Sequence, residues 1–393
     1  MVLYILMKDF VLYIQRFNFG GKRIYMKIGI PKEKNNIESR VGMTPAGVGQ
    51  LVLDGNEVYV QKGAGISAGI TDEEYVSSGA IMVDTIEEVY EKTKLIIKVE
   101  RPVKEEIKYI RPDHLLCAYL HLAAHKEDTV ELVATGATCL AFETIILNDG
   151  GKPILSPMSE VAGRMAVQVG SFYLQKNNGG KGKLLGGVPG VERGKVVVLG
   201  AGVAGQSAIK TAFGMGAEVT AIDIDVNKLR YLDDNYKSQI TTLYSTPRNI
   251  EKAVAEADLL IGTVLIPGGK TPCLVTKKYI NSMQNGSVLV DVAIDQGGCF
   301  ETSKITTLEE PTYIVDGVVH YCVGNMAGAY PLTSTISVEN SILKYARTIA
   351  SKGLKGACAV YPELLGGINI MNERVTCREV ADSLGLDYVG VGF

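Results

Sequence analysis

Val196-Val-Val-Leu199-Gly200-Ala201-Gly202-Val203-Ala204-Gly205 runs a β-branched apolar segment into a glycine-rich turn, and helical patterning follows it. Strand, GxGxxG turn and helix in that order are the opening of a βαβ unit that binds a dinucleotide. Gly200 makes the tight turn, Gly202 lets a pyrophosphate approach the backbone, and Gly205 lets the helix close on the strand. The helix N-terminus, led by Val203 and Ala204, then faces the phosphates. The next strand ends in Asp223, 23 positions after Gly200. A carboxylate there accepts hydrogen bonds from the adenosine ribose hydroxyls and repels a 2′-phosphate, which favours NAD over NADP.

Further along, Ser287-Val-Leu-Val-Asp291-Val-Ala-Ile-Asp295-Gln-Gly-Gly-Cys299 reads as a strand covered on both faces, with two carboxylates at its mouth and glycines that admit a ligand. A carboxylate there is expected beside a bound nicotinamide, which points to hydride chemistry.

Working outward, strands are expected at 195–199, 218–223, 259–264, 288–292 and 313–315, the spacing of a doubly wound sheet. The residues before them alternate strand and helix from Met26, at 27–30, 57–60, 95–99, 115–120 and 138–142, with a helix after Thr44-Pro45. Ser156-Pro157 reads as a helix start that leads from one domain to the next. Helix returns at 334–351 without a nucleotide signature. The expected architecture is α/β: two Rossmann-like domains with doubly wound parallel sheets, the first discontinuous. Residues 26–155 with 331–393 form the substrate and catalytic domain, and 156–330 the NAD-binding domain with its leading helix. Residues 1–25 read as an N-terminal extension, with Met26 as an alternative start.

The chain has 393 residues, enough for two domains, with 44 glycines suited to tight strand-to-helix turns. Its 40 basic and 43 acidic residues nearly cancel, so no field draws in nucleic acid or an anionic membrane. Small-molecule partners are favoured. The seven cysteines lack CxxC or Cys/His ligand spacing, so no disulfide framework and no metal site is expected, and a cytoplasmic setting is the simplest. No apolar run reaches the roughly 18 residues of a membrane helix.

In the first domain Arg40, Lys98 and His121 fall at or just after strand ends, where α/β clefts form. Arg40 is suited to grip a carboxylate with paired hydrogen bonds, or is a surface cation. Lys98 interrupts Leu95-Ile-Ile-Lys98-Val and is either a strand-edge residue or a desolvated ammonium aimed at a ligand oxygen. His121 is a proton relay near neutral pH or a satisfied core histidine. His114, His125 and His320 read as structural or surface residues.

Taken in order, Ile30-Pro-Lys-Glu33, Arg40-Val-Gly-Met-Thr-Pro-Ala-Gly-Val48, Lys98-Val, Tyr119-Leu-His121-Leu-Ala-Ala124, Ser156-Pro-Met-Ser159-Glu160-Val-Ala-Gly-Arg164, the turn at Gly200 and Asp295-Gln-Gly-Gly-Cys299-Phe-Glu301 resemble the alanine dehydrogenase family. That family also holds the NAD-binding component of the proton-translocating transhydrogenase, and the resemblance runs from Met26 to the C-terminus. It implies reversible NAD-dependent oxidative deamination of L-alanine to pyruvate and ammonia, in a homo-oligomer, by family pattern a hexamer. Arg40 and Lys98 take the substrate-binding positions, His121 and Asp295 the catalytic ones, and Ser159, Asp223, Lys228, Ser245, Asn325 and Met326 join the turn in holding NAD. If both groups face one closed, poorly hydrated cleft, burial would raise the pKa of Asp295 while its carboxylate favours protonated His121, giving coupled titrations. After Asn325-Met326 the family pattern Pro-Gly-Ala-Val-Pro-Arg is replaced by Ala327-Gly-Ala-Tyr330-Pro-Leu332. The rival readings are a transhydrogenase component, which should lack an amino-acid site, and a silent NAD-sensing module, which should lack a proton-transfer residue.

Overall fold

A computed structural model of the chain describes residues 26–34, 38–264 and 271–393. The N-terminal extension expected at 1–25 lies outside the described residues. In chain order the strands are β1 (Lys27–Ile30), β2 (Glu57–Gln61), β3 (Ile81–Val83), β4 (Leu95–Glu100), β5 (Leu115–Tyr119), β6 (Thr138–Ala141), β7 (Lys195–Leu199), β8 (Glu218–Asp223), β9 (Thr241–Tyr244), β10 (Leu259–Gly262), β11 (Val288–Asp291), β12 (Thr312–Val315), β13 (Val318–Tyr321), β14 (Ile368–Met371) and β15 (Arg374–Val375). They form two sheets in two compact units. The first unit joins the residues up to Ile154 with Thr335–Phe393, and the second is Leu155–Ser334.

In the first unit the order is β15-β14-β6-β5-β4-β1-β2-β3. β1 to β6 are parallel, while β14 and β15 pair antiparallel at one edge. Strand order reverses between β1 and β4, and in such sheets ligands bind beyond the carboxyl ends of the strands at that point. Those ends carry Glu33 and Lys98. β4 is also irregular there. Its register against β5 slips between Ile97 and Glu100, and Val99 N donates to the Glu33 carboxylate (2.7 Å). A bulge beside a site re-aims a side chain, in this case Lys98.

In the second unit the order is β12-β13-β11-β10-β7-β8-β9. β9-β8-β7-β10-β11 is the arrangement of a dinucleotide-binding sheet, with the reversal between β7 and β10. Alternate residues of β7 enter different core clusters, Val196 and Val198 in one, Val197 and Leu199 in the other. This is the pattern of a parallel strand covered on both faces. The strand expected at 313–315 is the antiparallel edge β12, and the buried β13, which sequence patterning missed, takes the inner place beside β11. Asp316 (φ 49°) and Gly317 (φ 81°), both left-handed, make the hairpin turn between them.

Two helix expectations shift. The helix expected from Ser156 runs Leu155–Tyr173, which places Ser156 inside its first turn, and the helix expected at 334–351 runs Pro331–Val360 with a non-helical Gly353 (φ 70°). No helix among the described residues is long and apolar enough to cross a membrane.

Candidate active site

The glycine-rich turn has the geometry its sequence demands. Gly200 sits at φ 96°, a conformation that disfavours a side chain. A Cβ on Gly205 would lie 1.9 Å from Gly200 O, whereas one on Gly202 would meet nothing within 4 Å. Gly205 therefore serves close packing, and Gly202 leaves room above the backbone. Gly202 is the N-cap of the helix Val203–Gly214 and no side chain caps it. The first-turn N–H groups of such a helix have no intrahelical partners and attract anions. This surface suits a pyrophosphate.

Asp223, at the end of β8, is buried, and both its oxygens accept backbone N–H groups: Oδ2 from Ala201 (2.5 Å) and Oδ1 from Asp225 (2.8 Å). It ties the glycine-rich turn to the next one, a task sequence reading did not foresee. Lys228 is exposed near the start of the helix Val226–Tyr236, and Ser245 follows β9, with its N donating to Asp223 O (3.0 Å). Ser159 is half-buried in the helix Leu155–Tyr173. That helix lies close to the turn's own helix, since a Cβ on Gly163 would stand 2.1 Å from Ala204 O.

The two carboxylates after β11 have different surroundings. Asp291 is fully buried, whereas Asp295, on a short 3-10 turn at Ile294–Gln296, is exposed. The expectation of a buried Asp295 is corrected: strand burial ends with Asp291, and the turn carries the next carboxylate outward. Burial pushes the Asp291 carboxyl up to about 6 against the hydrogen bonds it accepts from Ser303 and the loop backbone. Asp295 accepts from Asn325 N at 3.2 and 3.3 Å. Asn325 is left-handed (φ 49°) and leads into the turn Met326–Ala329, so Asp295, Asn325 and Met326 form one corner of this unit.

At the switch point of the first unit two cations are wrapped by four carboxylates. Lys98, 1% exposed, lies 2.9 Å from Glu33 and 3.1 Å from Glu106. Arg40, 3% exposed, donates from Nε and Nη2 to Glu38 (2.7 and 2.6 Å), and Nη2 reaches Glu100 at 3.2 Å. Neither is a surface cation. Burial works against the charge of each, but their carboxylates outweigh it and both stay protonated. Burial likewise pushes Glu33 up to about 7 despite Lys98, and raises Glu100 despite Arg40 and His121. A proton held on Glu33 near neutral pH offsets part of the negative charge around the two cations.

His121 follows β5 in the left-handed conformation (φ 49°, ψ 36°), which is uncommon for a side-chain-bearing residue and often marks functional strain. Glu143, beyond the parallel neighbour β6, accepts from both Leu120 N (3.2 Å) and His121 N (2.7 Å) and holds the turn. The imidazole is exposed and stacks on Tyr119 with ring centroids 6.2 Å apart. Arg40, Lys98 and His121 thus share the carboxyl ends of β1, β4 and β5, while Asp295 and the residues expected to hold NAD belong to the second unit. His114 and His320 are buried and hydrogen-bonded, in keeping with structural roles. Sequence reasoning gave no role to Glu33, Glu38, Glu100, Glu106 or Glu143. The positions of Glu33, Glu100 and Glu143, at or just past strand ends, could have flagged those three, and Glu33 also closes the motif Ile30-Pro-Lys-Glu33.

Comparison with known proteins agrees with this architecture. The family profile for the alanine dehydrogenase/PNT N-terminal domain matches residues 29–162, and that for the C-terminal domain matches 166–378. The chain belongs to the alanine dehydrogenase/PNT family. Among its relatives, the alanine dehydrogenase of Methanococcus maripaludis is 50% identical over 364 residues, covering 92% of this chain and 98% of that protein. That of Bacillus subtilis is 50% identical over 366 residues, covering 93% and 96%. A solved L-alanine dehydrogenase superposes with a TM-score of 0.89 at 46% identity, covering 92% and 99%. A transhydrogenase from Sinorhizobium meliloti gives 0.77 at 25% identity, covering 90% and 99%.

Proposed function

We propose that the chain is an NAD-dependent oxidoreductase that interconverts L-alanine with pyruvate and ammonia. The observation that supports this most is its half-identity, over nearly its whole length, to alanine dehydrogenases. The first unit adds two buried cations for a carboxylate substrate and the second a dinucleotide turn.

The open face of Gly202, the uncapped helix N-terminus and Asp223 fit NAD, with Ser159, Lys228, Ser245, Asn325 and Met326 completing its site. When bound, NAD supplies the acceptor for the hydride leaving the substrate's α-carbon. Arg40 and Lys98 hold the substrate carboxylate and the developing carbonyl oxygen, and so orient the α-hydrogen. A ring nitrogen of His121 and a carboxylate oxygen of Asp295 move the protons as water adds to the imine and ammonia leaves the carbinolamine. Glu143 keeps His121 at the strand end. The seven cysteines are free thiols, which suits the reducing cytoplasm, and the resemblance to alanine dehydrogenases suggests a homo-hexamer.

The test is the rise in NADH absorbance with L-alanine and NAD, run beside serine, glycine and NADP. Steady NADH formation that needs alanine supports the proposal. NADH binding with no turnover of any amino acid would return the chain to the NAD-sensing reading, and hydride passage between two nucleotides to the transhydrogenase reading.

A further inference from the structure

The buried Asp291 has no part in the reaction just described. It is 0% exposed, and no cation pairs with it among the described residues. A buried carboxylate without a cation is expensive to keep ionised. Its surroundings supply hydrogen bonds instead. Oδ1 accepts from Ala293 N (3.1 Å), and Oδ2 accepts from Cys299 N (2.9 Å) and Ser303 Oγ (2.5 Å), with Phe300 N a further donor. The loop wraps tightly, since Gly298 is left-handed and a Cβ there would lie 2.4 Å from Oδ2. Both ends of the 293–303 loop thus close on one carboxyl group, and Asp295 sits inside the closed segment.

We infer that Asp291 is a positioning residue: its carboxylate closes the 293–303 loop and thereby holds Asp295 against the backbone of Asn325. The inference rests on the proton-transfer role proposed for Asp295. A neutral loop closure would cost less, so the charge is retained for the strength and direction of hydrogen bonds to an ionised acceptor. The titratable groups around Asp291 are the thiols of Cys273, Cys299 and Cys322 and the phenol of Tyr313, all raised by burial and neutral near pH 7, while His320, lowered by burial, hydrogen-bonds the neighbouring Thr302. Asp291 therefore ionises alone. With its carboxyl at about 6, acidification protonates it, removes part of its acceptor capacity and loosens the loop.

The test uses the intact enzyme. Asp291→Asn should lower kcat about 10- to 100-fold, the scale of a reacting group displaced by about an ångström, with the KM for alanine and the affinity for NADH within a few-fold of the parent. Amide exchange in the 292–303 peptide should quicken, and the acid limb near pH 6 should leave the kcat profile. Ser303→Ala keeps the charge but removes one donor. It should move that limb upward by about one pH unit, which tests the proposal even if Asp291→Asn does not fold. Asp295→Asn, measured in parallel, separates the two levels. If it keeps near-native turnover, the role of Asp295 fails and this proposal with it. If Asp295→Asn is slow while Asp291→Asn keeps the parent's turnover and acid limb, or Ser303→Ala leaves the limb in place, the positioning role alone is overturned.

Discussion

Replacing Glu33 by glutamine should flatten the dependence of the protein's stability on pH. Glu33 is buried beside Lys98, and its carboxyl is pushed from its usual value of 4.5 up to about 7 because burial outweighs the lysine's attraction. The native state therefore binds a proton more readily than the unfolded chain. Stability from this group is fully present below about pH 4.5 and is lost as pH rises through 7. The whole span is about 3 kcal/mol, of which about 2 kcal/mol falls between pH 5.5 and pH 8. The glutamine side chain in Glu33→Gln keeps an amide oxygen for Val99 N but cannot ionise, so its cost against Lys98 is the same at both pH values. The measurement is urea unfolding of parent and variant at pH 5.5 and 8, followed by far-UV circular dichroism because the chain has no tryptophan. The parent should lose about 2 kcal/mol more than the variant on going to pH 8. Equal losses would falsify the assignment of the bound proton to Glu33.

Lys98→Met leaves Glu33 and Glu106 facing each other without a cation. It should cost about 3–5 kcal/mol at neutral pH, less in acid, and abolish turnover, all readable from unfolding midpoints and the NADH assay. Asp223→Ala removes the acceptor of Ala201 N and Asp225 N, so NADH affinity by fluorescence should fall about tenfold or more, and unchanged affinity would remove Asp223 from the nucleotide site. Glu143→Ala strips two backbone donors at the His121 turn and should lower kcat about 10- to 100-fold. Glu143→Gln, whose amide oxygen still accepts, should recover much of it, and failure of that rescue would count against a role through the backbone. His121→Ala and Asp295→Asn should each cost about two to four orders of magnitude in kcat while NADH still binds.

The parts of this protein that were legible in its sequence are those settled over a few neighbouring residues. The glycines at 200, 202 and 205 answer to φ, clearance and packing within one turn, and the apolar runs from Val196 and Val288 answer to burial on both faces. The family motifs named Arg40, Lys98, His121 and Asp295, and the first three stand together at one switch point. What tertiary structure alone decided is which charges are buried and what answers them. Glu143 reaches the His121 turn from 22 residues away, Glu33 reaches Val99 from 66, and Glu106 meets Lys98 from a separate helix. The chain writes Asp291 and Asp295 as one motif, yet the fold buries the first and exposes the second, because the strand ends between them and a turn reverses the direction of its side chains. Local pattern specifies backbone conformation. The ionisation and partners of a carboxylate depend on what the sheet brings beside it, and sheet order is set by contacts far apart in the chain.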